Sequence, residues 1–95
     1  MKPVVKKAKE KGRLRIMLCD DEMLFRDILK DRLKSEPDIV VVGEADNGVE
    51  ALRQVRELKP AVVLMDISMA GGGGIEATRQ ITKAMPATKV LMLSS

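Results

Sequence analysis

Three aspartates stand where apolar runs stop. "LRIMLC" (14–19) leads directly into Asp20-Asp21, and "AVVLM" (61–65) into Asp66. A last apolar run, "KVLML" (89–93), stops at Ser94-Ser95. Aspartate is a poor strand residue, so local propensity does not ask for carboxylates at these ends. Brought together, Asp20, Asp21 and Asp66 would crowd one rim with the Ser94 hydroxyl. Carboxylates a few ångströms apart repel one another and do not all stay ionised unaided. A divalent cation supplies the missing charge. The chain has no histidine and one cysteine, so the donors are oxygens, which suits Mg2+ rather than zinc. A carboxylate beside such a cation can also carry a phosphoryl group as an acyl phosphate, and Asp66 is the natural nucleophile. Backbone N–H groups near the glycines after it, or the Ser94 hydroxyl, would hold the phosphoryl oxygens. Each residue also has a plainer reading on its own. Asp20 and Asp21 fit the acidic start of a helix, Asp66 fits a turn, and serine closes many strands.

Gathering these residues is the task of the elements around them. "LRIMLC" is short and apolar on both sides, as an interior strand is. From Met23, apolar residues at Phe25, Ile28, Leu29 and Leu33 have helical spacing, which ends near Ser35-Glu36-Pro37. "IVVVGEA" (39–45) is β-branched and predicts a second strand. "DNG" (46–48) follows, with Asn47 as N-cap of a helix whose stripe is Ala51, Leu52, Val55 and Leu58, up to Pro60. "AVVLMD" (61–66) is the most continuous apolar run and predicts a central parallel strand. A helix from about Ile75 to Met85, facing inward through Ile75, Thr78, Ile81 and Met85, precedes the fourth strand. The order β-α-β-α-β-α-β predicts an α/β fold with a doubly wound parallel sheet. In such sheets ligands bind beyond the carboxyl ends of the strands, where strand order reverses. The aspartates lie at those ends.

Composition narrows the field further. Residues 1–13 hold six Lys/Arg against one Glu, while the other 82 hold eleven basic and thirteen acidic groups. The net charge of +3 therefore belongs to a basic tail, expected to be disordered and solvated with contact to nucleic acid or an acidic partner as the alternative, ahead of a folded domain over 14–95. With one Phe and neither Trp nor Tyr, the chain lacks the platforms that single-stranded nucleic acid stacks on. Cys19, lying in an apolar run, is expected to be a buried structural thiol. No membrane span or signal-peptide core is visible, so the expected location is cytoplasmic.

Four glycines, Gly71 to Gly74, follow the third strand. Gly72-Gly73-Gly74-Ile75-Glu76-Ala77 matches G-x-G-x-x-A, but a dinucleotide fingerprint belongs after the first strand and needs an acid about 20 positions on, past Ser95. The phosphate-loop pattern fails too, having no Lys-Ser/Thr after the last glycine. The expected role is to let the chain leave a strand with unusual dihedrals.

Taken together, "IMLCDDE" (16–22), "VVLMDISM" (62–69), "GIEATRQI" (74–81) and "KVLMLSS" (89–95) resemble the receiver domain of two-component response regulators. The resemblance implies a flavodoxin-like sheet of order 2-1-3-4-5 and a phosphorelay role rather than an enzyme. On the matched positions it implies that Asp66 takes a phosphoryl group from the phosphohistidine of a sensor histidine kinase. Asp21 and Asp66 would hold Mg2+ directly, Ser68 through its backbone carbonyl, and Asp20 mainly through a metal-bound water. Ser94 would be the switch hydroxyl. "GIEATRQI" is most similar to regulators with a helix-turn-helix output domain, so DNA would be met only through a domain absent from this chain. Ala70 stands where the family usually has proline, which implies a looser turn. The family's last helix, strand and helix, with a phosphate-pairing lysine, are not in the chain. A truncated domain of this kind is expected to self-associate through its open fourth strand or by segment swapping, and to be phosphorylated weakly or not at all. The alternative is an interaction module whose acidic rim is chemically idle.

Overall fold

The computed structural model describes residues 12–69 and 73–93. They form β1 (Leu14–Cys19), α1 (Met23–Leu33), β2 (Ile39–Ala45), α2 (Gly48–Leu58), β3 (Val62–Asp66), α3 (Gly73–Ala84) and β4 (Lys89–Leu93). The strands are parallel, in the order β2-β1-β3-β4. That is the doubly wound sheet which the alternating pattern predicts, with β1 and β3 adjacent at its centre. The basic tail, apart from Gly12 and Arg13, lies outside the described residues. Among them, no helix is long and apolar enough to cross a membrane.

The two faces of the sheet are unequal. Met17, Cys19, Val63 and Met65 meet α2 and α3, whose Ala51, Val55, Ala77 and Ile81 complete one buried cluster. Burying a side chain the size of Ile81 or Val55 contributes roughly 1.5–3 kcal/mol, so this side is the main core. Ile16 and Leu18 are buried on the other face. Among the described residues α1 is the helix on that face, and none of its residues is fully buried. The spacing of Phe25, Ile28, Leu29 and Leu33 marks the helix correctly, yet Phe25 and Ile28 remain exposed.

Helix ends follow their local chemistry. The Asn47 side chain accepts a hydrogen bond from the Glu50 N–H at 2.8 Å, capping α2 as expected. At the other end Lys59 turns left-handed (φ 49°), and Pro60 prevents any further turn.

The start of α3 corrects the sequence reading. The helix begins at Gly73 rather than Ile75, so Gly73 and Gly74 are helical and do not supply left-handed dihedrals. Ile75, expected inward, is 58 % exposed; Gly74, Ala77 and Ile81 face the core instead. The reason is close approach. A Cβ on Gly74 would overlap the backbone oxygen of Asp66, and one on Gly48 would lie 2.8 Å from the Gly73 carbonyl oxygen. Small residues let α3 sit directly behind the end of β3 and against α2. Ala77 and Ile81 then follow Gly74 at the spacing of one helix face.

This contact predicts an unusual sign for Gly74→Ala. Alanine ordinarily favours a helix over glycine by roughly 0.5–1 kcal/mol. Here overlap with a main-chain oxygen outweighs that gain, and the variant should lose roughly 1–3 kcal/mol in urea unfolding. An unchanged or raised midpoint would show that the helix start can shift without cost.

Candidate functional site

The carboxyl ends of β1 and β3 carry the site. Cys19 of β1 pairs with Met65 of β3, so the next residues, Asp20 and Asp66, leave the sheet side by side. The sheet holds both main chains: the Asp20 N–H donates to the Ala45 carbonyl (3.0 Å) and the Ile67 N–H to the Leu93 carbonyl (3.0 Å). Asp20 is 7 % exposed and Asp66 8 %, whereas Asp21 faces solvent. One carboxylate oxygen from each of the three lies within 4.8 Å of the other two. They line a cleft of about 260 Å3 together with Glu22, Phe25, Ser68 and Leu93.

Hydrogen bonds orient these acids. Asp20 Oδ1 accepts the Glu22 N–H at 2.8 Å. Asp66 Oδ1 accepts both the Ser68 N–H (2.9 Å) and the Ser68 hydroxyl (3.0 Å). Burial pushes the Asp20 carboxyl above its ordinary range, and the Asp66 and Asp21 charges push the same way. The Glu22 N–H and the Arg26 guanidinium oppose them without prevailing. Two ionised carboxylates at such a separation repel by roughly 3–4 kcal/mol at an effective dielectric of about 20. The cluster therefore calls for positive charge, and its all-oxygen donors fit a hard divalent cation. Cys19, directly behind, takes no part: burial pushes its thiol up to about 12.

Four of the five residues singled out in the sequence line this one cleft: Asp20, Asp21, Asp66 and Ser68. The fifth, Ser94, lies outside the described residues, although its neighbour Leu93 reaches the rim.

Residues 16–95 match the response regulator receiver domain. The chain belongs to that family. Receiver domains of two-component response regulators serve phosphorelay signalling, and this chain carries their fold. It is 46 % identical over 82 residues to a protein-glutamate methylesterase/protein-glutamine glutaminase of Thermotoga maritima, covering 86 % of this chain and 24 % of that protein. It is 44 % identical to the transcriptional regulatory protein LiaR of Bacillus subtilis, covering 86 % of this chain and 39 % of LiaR. The solved response regulator domain of Thermotoga maritima CheB superposes with a TM-score of 0.81 at 44 % identity, over 87 % of this chain and 61 % of that domain. The chain thus spans about a quarter of the length of the methylesterase it matches.

Sequence reasoning misses two residues, one lining the receiver cleft and one bonded to the main chain behind it. The spacing places Phe25 in a helix stripe, yet it lines the cleft with the acids. Arg26 was not singled out, yet it bonds the Asp20 carbonyl oxygen. One signal pointed to it: a cation in the first turn of a helix runs against the macrodipole and needs another reason to be there.

Proposed function

We propose that this receiver domain accepts a phosphoryl group on Asp66 from the phosphohistidine of a sensor histidine kinase and relays it as a conformational change. The observation that carries the reading is the convergence of Asp20, Asp21 and Asp66 within 4.8 Å at the switch point of the sheet. An Asp66 carboxylate oxygen attacks phosphorus, the bond from phosphorus to the histidine nitrogen breaks, and an acyl phosphate forms. Asp21, Asp66 and the Ser68 carbonyl would hold Mg2+, with Asp20 acting through water; the cation offsets charge on the phosphoryl oxygens when bound. Ser68, bonded twice to Asp66 Oδ1, keeps the nucleophile oriented. Ser94 would supply the switch hydroxyl.

Output belongs to a further domain of the kind found in longer relatives. Those relatives include a transcriptional regulator and methylesterases, so DNA binding through a helix-turn-helix domain and control of an enzymatic domain are both compatible with this receiver unit. The expected setting is cytoplasmic.

Incubation with a small phosphodonor and Mg2+ should add one phosphoryl group, slowly and to a minor fraction of the chains, in the intact mass. The gain should vanish in Asp66→Asn and without the cation. If the wild-type chain never gains mass, the acidic rim is idle and the domain is an interaction module.

Self-association is the second part of the proposal. Among the described residues no strand pairs with the outer edge of β4, and Leu91 on it is 56 % exposed. An apolar edge of this kind favours pairing with a second copy, directly or by segment swapping. Sedimentation should find species heavier than the monomer that disappear in Leu91→Lys. A wild-type chain that stays monomeric at every concentration tested rejects the idea.

A further inference from the structure

One guanidinium ties the acidic cluster to the edge strand β2. Arg26 donates through Nη1 to the Asp20 carbonyl oxygen and through Nε to Glu44 Oε1 at 2.9 Å. Lys30 Nζ lies 2.6 Å from the other Glu44 oxygen. The Arg26 side chain is only 13 % exposed, so these bonds meet little competition from water.

A bulge in β2 brings Glu44 to this place. Ile16 pairs with Val41 but Met17 with Gly43, so Val42 is an extra residue and the faces of β2 exchange beyond it. Glu44 then pairs with Leu18, on the face that α1 covers. In unbroken register it would pair with Cys19 and point into the core under α2 and α3. Bulges near functional sites commonly re-aim a side chain in this way. Burial works against the Glu44 charge, but the bonds from Lys30 and Arg26 outweigh it and hold the carboxyl below its ordinary range.

Charge alone would make Arg26 a poor neighbour for a cation site. A guanidinium repels a cation, and its position opposes the helix dipole. What it offers is geometry. Its fork spans Asp20 and Glu44 at once, while the Asp20 side chain accepts the Glu22 N–H. The first residue of the β1–α1 loop is therefore held through both its main chain and its side chain.

We infer that Arg26 is a positioning residue for the acidic cluster, acting through the Asp20 main chain and anchored by the Glu44–Lys30 pair. The inference rests on the cation reading above. Loss of a partner that orients a metal ligand typically costs 10–100-fold in affinity.

The test is an Mg2+ titration followed by the amide NMR signals of Asp20, Asp21 and Ser68, with Tm measured alongside. Wild type is compared with Arg26→Lys, which keeps the charge but not the fork, and with Arg26→Gln. Both variants should bind roughly tenfold more weakly. Wild-type affinity in Arg26→Lys with tighter binding in Arg26→Gln would mean that only charge acts, and would overturn the inference. Lowered Tm with unchanged affinity in both would mean a merely structural role and would overturn it equally. Should the variants fail to fold, the Arg26 Nε–H signal of the wild-type chain decides. It should exchange slowly and shift with the same midpoint as the Asp21 amide; a fast-exchanging or unmoved signal refutes the inference. A wild-type chain with no saturable response removes the cation reading itself, and the inference with it.

Discussion

Three carboxylates held within 4.8 Å of one another, two of them buried, repel, and the fold must hold them together against that repulsion. Asp20 and Asp66 meet because β1 and β3 pair in parallel at the centre of the sheet. Both strands are apolar on both faces, so neither can slide or flip without exposing core residues. Hydrophobic burial therefore supplies the free energy that keeps the acids close, and local hydrogen bonds set their orientation. An acidic cluster assembled in this way is primed for a cation and costs stability without one.

Support for the cluster is divided between the two faces of the sheet. Behind β3, α3 approaches so closely that only glycine fits at position 74, which fixes the exit of the chain at Asp66. On the other face α1 buries little, and polar contacts from Arg26 and Lys30 to Glu44 do much of the joining. The apolar side therefore gives stability, while the thinly packed side places the loop that carries Asp20 and Asp21.

Much of this was legible in the residues. Alternating apolar runs and helical spacing mark the seven elements of the described residues, and Asp20, Asp21 and Asp66 at strand ends point to the cleft. What escaped depended on contacts across space. Ile75 looked like a core residue because large apolar side chains usually mark the inner face, whereas close approach to the Asp66 carbonyl selected Gly74 and Ala77 instead. The bulge at Val42 left no trace in "IVVVGEA", since a β-branched run reads the same with or without an extra residue. Without the bulge the meeting of Glu44 and Arg26 could not be foreseen.

The central claim is that one cation is gathered by acids distant in the chain. Paramagnetic Mn2+, added stepwise in place of Mg2+, tests it most directly through the amide signals that it broadens. The account predicts saturable, single-site broadening that begins at Asp20, Asp21, Asp66 and Ser68, fades with distance from that cleft, and is reversed by excess Mg2+. Broadening centred on other acids such as Glu50 and Glu57 of α2, or spread evenly over the acidic surface, would contradict it.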